Sequence, residues 1–458
     1  MARDWEKLAG ERGVDIPSGR MDRLWRVGKL GVGVGVKTAF RKASNMLRTD
    51  DHNRAEQDRE FYLKQARDIS RVLGQMKGAA MKVGQLLSSD PDMLPPEFME
   101  ELTVLQKDSP PMTWLQVQDQ VERAFDRPID AVFSYFNPEP VGSASIGQVH
   151  RARLASGEEV AVKIQYPGVR DSLDADMKNL ESLLTIGRVV ADAQRLRSYA
   201  AEIKQSILEE SDYTQEAANL ARFVDVLGER EGVRVPRPFP EWTRTEVLTM
   251  EYIEGRKLDE ALLDLPHGAE RESLCTRFVG TYSWMLHDRY QLHCDPHPGN
   301  FIVDEHGNLV FLDFGSVKDT DVTFTDGILD ILDACWQGED ERACDIYHRL
   351  GFGGTNADRD LFKPDILRQY HEIVLAPLIR DEVFDFAGWE MRKALQSFAM
   401  KHPVFFKWVP PAEGLMPFRV MGGIKGLLTK VGARINVHRM TVDTARRAGR
   451  LTRELYQP

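Results

Sequence analysis

Cysteine is scarce in this chain: Cys275, Cys294, Cys335 and Cys344 are the four, far apart and with no CxxC pair among them. That pattern fits a reducing compartment, speaks against a zinc site and gives no expectation of disulfides. Long apolar runs are also missing, and no stretch reaches the roughly 18 uninterrupted apolar residues of a membrane-spanning helix. Basic residues do not prevail either. The 60 Lys and Arg against 71 Asp and Glu leave a formal net charge of −11, which excludes a nucleic-acid binder held by overall positive charge. The first residues hold Asp4, Glu6 and Glu11 and no early apolar run, unlike a secretory signal or an acid-poor transit peptide. These absences together predict a cytoplasmic protein. Internal repeats and low-complexity segments are absent as well.

What is present is enough for two or three structural units, since 458 residues with 42% hydrophobic content can bury a sizeable core. Residues 20–48 set Arg20, Arg23, Arg26, Lys29, Lys37, Arg41, Lys42 and Arg48 around the Gly-interrupted apolar stretch Leu30 to Val36. Two readings stand for this leader: contact with an anionic membrane surface, or a solvated segment. Phe61, Leu63, Ala66, Ile69, Val72, Leu73 and Met76 recur at helical spacing, and Pro91, Pro95 and Pro96 end the pattern. A further helix is predicted from about Thr113 to Phe125. Short β-type runs begin at about Pro138. Val149 to Leu154 and Glu159 to Tyr166 flank Ala155-Ser156-Gly157 and read as a hairpin. A mostly helical stretch from Asp174 to Val226 precedes the β-like piece Glu246 to Ile253. From Leu258 onward the periodicity is helical, apart from strand-like Asn300 to Val303 and Leu309 to Leu312. The layout is a small mixed lobe followed by a larger helical one.

Four pieces carry chemistry. Gly142-Ser143-Ala144-Ser145-Ile146-Gly147-Gln148-Val149 fits the glycine-rich pattern GxGxxGxV with alanine at the second glycine. Small side chains let backbone N–H groups approach phosphate oxygens, although most turns of this composition are only turns. Lys163 closes Val160-Ala161-Val162-Lys163, sixteen residues after Gly147 on the next predicted strand, where strand alternation would bury the valines and turn the lysine to the α- and β-phosphates. The segment Leu208 to Phe223 offers Glu209, Glu210, Asp212 and Glu216, read as four acids on one helix, as candidates to steady that lysine. His293-Cys294-Asp295-Pro296-His297-Pro298-Gly299-Asn300 reproduces the HxDxxxxN spacing of a kinase catalytic loop, and Asp313-Phe314-Gly315 follows thirteen residues after Asn300. On this reading Asp295 orients the attacking oxygen and accepts its proton, while Asn300 and Asp313 hold magnesium. The competing reading of Asp295 and Asn300 is a Pro/His-rich loop bonded to its own backbone. A zinc reading of His293 and His297 fails because Pro296 and Pro298 forbid the helix that would align the two rings.

Several marks lie outside the general kinase set, and with them the chain resembles the UbiB/AarF family of atypical kinases. Met81-Lys82-Val83-Gly84-Gln85 matches the family's KxGQ motif, Ser143 to His150 its Ala-rich loop, Glu210-Ser211-Asp212 its ExD motif, and Asp295 to Asn300 is close to a family signature. Glu216 falls where the partner of Lys163 is expected. The resemblance covers about residues 60–430. It implies an α+β, two-lobed protein-kinase-like fold, with a small mixed N-lobe, a larger mainly helical C-lobe and an N-terminal helical extension lying over the active site. The expected organisation is a basic leader (1–55), the helical extension with KxGQ (56–135), the N-lobe (136–255) and the C-lobe (256–458). The nucleotide ligands expected are Gly142, Ser143, Ala144, Ser145, Gly147, Val149, Lys163 and Glu216, with Lys82, Gln85, Glu210 and Asp212 from the family motifs. Arg419, in Phe418-Arg419-Val420-Met421-Gly422-Gly423, is expected to meet the extension.

The resemblance further implies ATP and Mg2+ as cofactors, ATP hydrolysis or phosphoryl transfer, and a lipid or quinone-pathway partner, because family members support the handling of ubiquinone and other isoprenoid lipids at membranes. Two departures stand out. The loop begins Gly142-Ser143 instead of further alanines, which adds backbone freedom. Where some bacterial members end in hydrophobic anchoring helices, this chain ends Arg446-Arg447-Ala448-Gly449-Arg450-Leu451 and a polar tail, so membrane contact would be peripheral, at the cytoplasmic face. Two rivals remain: a small-molecule phosphotransferase of the aminoglycoside or choline kinase type, and a non-catalytic nucleotide-sensing scaffold.

Overall fold

The structure, a computed structural model, describes residues 111–144, 146–169, 208, 210–354 and 357–455. The leader and most of the expected extension, with Lys82 and Gln85, lie outside these residues, as does Ser145.

Helix α1 (Trp114–Phe125) begins on a reciprocal cap, in which Thr113 Oγ1 accepts from the Gln116 N–H at 3.4 Å and Gln116 Oε1 accepts from the Thr113 N–H at 3.3 Å. It ends at Asp126 in the left-handed region, φ 53°. A short α2 (Ile129–Val132) leads straight into β1 (Phe133–Phe136). Pro138 is therefore too late as the start of β structure: one strand precedes it, and four residues with Phe133 and Phe136 buried are too few to display a period of two. Then come β2 (Gly142–Ala144), β3 (Gly147–Leu154), β4 (Glu159–Gln165), α3 (Tyr213–Gly228), β5 (Val233–Arg234) and β6 (Val247–Glu251).

By contacts the chain divides into two compact units, the first reaching Ala221 and resuming over 236–253, the second comprising 222–235 and everything from Glu254 onward. The first unit is built on an antiparallel five-stranded sheet in the order β1-β3-β4-β6, with β2 pairing the same β3. The hairpin of β3 and β4 is in register from Gly147↔Gln165 to Arg153↔Glu159, and its turn uses Gly157 at φ +104°, a backbone conformation that favours glycine. Central β4 is buried along nearly its whole length, which is why it reads as the run Val160, Ala161, Val162, Ile164 with a single lysine in it.

The second unit opens with β7 (Gly255–Lys257), α4 (Leu258–Asp264), α5 (Ala269–His287) and β8 (Gln291–His293). It continues through β9 (Phe301–Asp304), β10 (Leu309–Phe311), β11 (Val317–Asp319), α6 (Val322–Gln337) and α7 (Asp340–Arg349). The remainder is α8 (Pro364–Val374), α9 (Ala376–Ile379), β12 (Phe384–Asp385), α10 (Met391–Lys401), α11 (Ala412–Lys430), β13 (Arg434–Ile435) and α12 (Val437–Arg447). Strands β9 and β10 are the two expected after Leu258. They join β5 and β7 in a four-stranded sheet ordered β5-β10-β9-β7, while β11 pairs β8 and β12 pairs β13. These last four strands are two or three residues long, too short to register as alternation.

One apolar core of this unit gathers Phe324, Ile331, Ala343, Tyr347, Phe362 and Trp408 between α6, α7, α8 and the loops after α10. Two aspartates on α6 hold the segment after α12. Asp333, fully buried, accepts from Arg342 Nη1 at 2.6 Å, Thr452 Oγ1 at 2.8 Å and the Thr452 N–H at 3.2 Å. Asp330 accepts from Arg450 Nε at 2.8 Å and Arg349 Nη2 at 3.1 Å. All four cysteines are free. Burial pushes the thiols of Cys275 and Cys344 up to about 11 and that of Cys335 to about 12. Among the described residues no helix is long and apolar enough to cross a membrane.

Candidate functional site

In the first unit the pieces meet on the five-stranded sheet. Lys163 sits on β4 between Val149 of β3 and Leu248 of β6, and only 5% of it is exposed. Its Nζ donates to both carboxylate oxygens of Glu216, at 2.8 and 2.9 Å, and lies 5.0 Å from the Tyr213 ring centroid. A buried ammonium held by two hydrogen bonds has a fixed direction. Glu216 lies in the first turn of α3, and that turn is set by Asp212. The Asp212 Oδ1 accepts from the Thr214 N–H at 3.0 Å and from Thr214 Oγ1 at 2.5 Å, and its carbonyl accepts from the N–H groups of Gln215 and Glu216. Asp212 is thus the N-cap of the helix that presents the lysine's partner.

This corrects the reading of four acids on one helix. Leu208 and Glu210 are helical, Ser211 and Asp212 break the helix, and α3 starts at Tyr213. Ser211 ends the earlier segment with its hydroxyl on the Leu208 carbonyl at 2.8 Å. The physical reason is the competition that serine and aspartate side chains offer to helical backbone bonds. Glu210 is buried just before the break, while Glu209 lies outside the described residues. Gln165 ties the region together, donating through Nε2 to the carbonyls of Ser211 at 2.9 Å and Thr245 at 3.2 Å.

The glycine-rich flap divides into two kinds of glycine. A Cβ on Gly147 would stand 2.2 Å from the Ile164 carbonyl oxygen, so this position is glycine because two strands approach closely. A Cβ on Gly142 would meet nothing within 4 Å. Gly142 and Ser143 are exposed, Ala144 and Val149 half-buried. Behind the flap Gln148 Nε2 donates to His150 Nε2 at 2.7 Å, and His150 Nδ1 donates to the Asn137 carbonyl at 2.8 Å. Burial holds that imidazole neutral, with its pKa lowered to about 4.

In the second unit the catalytic-loop candidate and the Asp313-Phe314-Gly315 segment are joined by one fully buried histidine. His293 Nδ1 accepts from the Tyr282 hydroxyl at 2.9 Å, and its Nε2 donates to the Asp313 carbonyl at 2.6 Å. Strand β8 pairs β11 directly, with His293 opposite Val317, and the Cys294 N–H donates to the Ser316 carbonyl at 2.8 Å. Asn300 Nδ2 donates to the Asp295 carbonyl at 3.1 Å, and the Leu312 N–H donates to the Asn300 carbonyl at 2.9 Å. Asp313 Oδ1 accepts from the Gly315 N–H at 3.0 Å. Phe314, fully buried, packs on Phe223 at 4.7 Å between ring centroids.

The loop itself is a 3-10 turn over Pro298–Asn300 whose N-cap is His297, with Nδ1 accepting from the Gly299 N–H at 3.1 Å. His293 and His297 have separate structural duties, and no group of three His, Cys, Asp or Glu able to hold a metal occurs among the described residues. On α11, Gly423 lets the helix close on the loop, since a Cβ there would stand 2.5 Å from Pro296 Cγ. Arg419 lies half-buried on the same helix. Tyr282, Tyr213 and Gly423 have no motif in the sequence; only the helical periodicity of α5 places Tyr282 inward.

A lysine-bearing antiparallel sheet with a helix glutamate, and an HxDxxxxN loop tied to an Asp-Phe-Gly turn, define a protein-kinase-like molecule. The comparisons agree. A sequence model of the ABC1 atypical kinase-like domain matches residues 104–347. An uncharacterized chloroplastic aarF domain-containing protein kinase of Arabidopsis thaliana is 31% identical over 378 residues, 79% of this chain and 51% of the relative. The mitochondrial atypical kinase COQ8 of Saccharomyces cerevisiae is 30% identical over 327 residues, 68% of this chain and 62% of the relative. The chain spans about half the length of the first of these relatives. Among solved structures, that of the Mycobacterium tuberculosis Rv3197–erythromycin complex superposes with a TM-score of 0.59 at 26% identity, covering 85% of this chain and 98% of that one. The chain belongs to the ABC1 atypical kinase-like family, the UbiB group.

Proposed function

We propose that the chain binds ATP with Mg2+ and cleaves the γ-phosphoryl bond, passing the group to water or to an acceptor of a lipid or quinone pathway. The observation that carries this reading is the doubly hydrogen-bonded, buried pair of Lys163 and Glu216, at 2.8 and 2.9 Å. An ammonium fixed in direction on a sheet suits α- and β-phosphate oxygens. The flap from Gly142 to Val149 would bring backbone N–H groups to the phosphates. Asp295 would orient the attacking oxygen and take its proton, and the hydrogen bond from Asn300 to its carbonyl fixes the turn of the loop.

Magnesium fits the donor set, because Asn300 spends its amide N–H on Asp295 and so offers an oxygen, and Asp313 offers a carboxylate. Bound there, the ion would offset phosphate charge. Glu210, just before the break, and Asp212, at the cap of α3, would support the site, and Lys82 and Gln85 would stand over the nucleotide, restricting large acceptors. The lipid link rests on the family resemblance, and we place the protein in the cytoplasm or peripherally at the cytoplasmic face of a membrane, with the basic leader as the contact.

The test is ATP turnover by the full chain, with and without Mg2+, anionic liposomes and quinone head-group analogues. Wild type should turn over only with the metal and faster with liposomes or analogues, and Asp313→Asn should lose about 100-fold or more. Equal turnover by Asp313→Asn and wild type would remove the assignment.

A further inference from the structure

Among the described residues two that are not glycine stand in the left-handed backbone region, Asp126 and Tyr290, each at φ 53°. Asp126 is the C-cap of α1, where a short polar side chain tolerates that conformation. Tyr290 is bulky, and its backbone is strained there. The strain falls in the three residues, Asp288 to Tyr290, that turn the chain from α5 into β8, just ahead of Asp295.

Strand β8 is three residues long and pairs only with β11, so its own ladder holds it weakly and its direction depends on its two ends. At the far end are the bonds from His293 Nε2 to the Asp313 carbonyl, at 2.6 Å, and from the Cys294 N–H to the Ser316 carbonyl, at 2.8 Å. At the near end the Tyr290 carbonyl accepts from the Thr320 N–H at 2.9 Å, which prolongs the pairing of β8 with β11 by one bond. Arg222 braces the same end: its Nε donates to Gln291 Oε1 at 3.0 Å and its Nη2 to Asp319, the register partner of Gln291.

Glycine would make this turn without strain. What tyrosine adds is a hydroxyl, which donates to Asp326 Oδ1 of α6 at 3.0 Å. The other Asp326 oxygen lies 3.9 Å from Arg450 Nη1, and Arg450 is itself held by Asp330, one turn further along α6, through its Nε at 2.8 Å. The ring therefore ties the entry of the catalytic-loop candidate to a carboxylate fixed on a helix.

We propose that Tyr290 is a positioning residue, whose hydroxyl bond to Asp326 holds β8, and through it Asp295 and Asn300, in the orientation that phosphoryl transfer needs. It acts through the strand, not by contact with the reacting atoms. A small displacement of a positioned group lowers the rate of the chemical step far more than it weakens binding. The inference rests on the reading of Asp295 as the group that orients the attacking oxygen.

The experiment combines steady-state ATP turnover by the full chain, thermal unfolding, and amide exchange at Cys294 and Asn300. Tyr290→Phe loses only the hydroxyl, so kcat should fall by about fivefold or more, with KM for ATP within about twofold and the unfolding midpoint nearly unchanged. Tyr290→Gly, which also relieves the strain, should lose at least as much kcat without losing stability. Asp326→Ala should match Tyr290→Phe, and the double variant should be slower than either single by no more than about twofold, since both remove one bond. Asp326→Asn, whose amide oxygen still accepts, should recover most of the loss. Unchanged kcat in Tyr290→Phe overturns the proposal, as does a loss that tracks the unfolded fraction or multiplies in the double variant. Should wild type fail to turn over ATP, the nucleotide reading falls by itself, and positioning is judged by exchange alone. Tyr290→Phe should then speed exchange at both amides by about fivefold or more, and Asp326→Asn should not; equal exchange in all three proteins overturns the proposal.

Discussion

Lys163 and Glu216 form a buried charge pair. Removing the acid takes two hydrogen bonds from an ammonium with 5% exposure, so Glu216→Ala should lower stability by about 3–5 kcal/mol in chemical denaturation, and Glu216→Gln by less. The two flap glycines should respond oppositely. Gly147→Ala drives a Cβ into the Ile164 carbonyl and should cost about 2–4 kcal/mol, while Gly142→Ala should change stability by less than about 0.5 kcal/mol and act only on nucleotide binding. Equal destabilisation by both would contradict the geometry. Spacing in the sequence already singled out Lys163, Asp295, Asn300 and Asp313, because motif chemistry depends on residue type at fixed intervals, whereas Glu216 stood as one of four acids until the family resemblance picked it out. It could not separate the two glycines, since that difference lies in which backbone passes nearby. Nor could it find Tyr282, whose hydroxyl matters only because His293 arrives beside it from a strand eleven residues on.

At the scale of elements, helices and the long hairpin were legible because period and turn residues agree over many positions. The break at Ser211-Asp212 was not, since two polar residues inside a helical pattern read equally as a solvated face and as a cap. The cap has a measurable consequence. Asp212→Ala should cost about 1 kcal/mol and speed amide exchange in the first turn of α3, over Tyr213 to Glu216, with exchange elsewhere in α3 nearly unchanged. Uniform exchange along the helix in both proteins would mean that the aspartate does not set its start. The short strands β8 and β11 escaped notice because three residues cannot display an alternation, and His293, which ends β8, holds the Asp313 carbonyl through a contact no local pattern encodes.

For the whole molecule, three imidazoles in separate places share one property. Burial lowers the pKa of His150, His287 and His371 to about 4, from an ordinary value of 6.5. The unfolded chain binds these protons first, so the stability they contribute is fully present above about pH 6.5 and is lost as the pH falls toward 4, at up to roughly 1.4 kcal/mol per pH unit for each. Denaturation midpoints measured from pH 7.5 to 4 should therefore fall steeply, and His371→Gln should flatten the fall; a level profile in wild type would refute the account. The overall layout of a small mixed part followed by a helical one was readable from texture alone, because sheet and helix periods differ over long stretches. The residues after α12 bear on how the gene can be trimmed. An expression boundary drawn at Ala448 looks harmless on a helix diagram, yet it would strip Arg450 and Thr452 from two sunken carboxylates of α6 and leave Arg342 and Arg349 to neutralise them alone. Such a shortened product should express poorly for reasons unrelated to catalysis.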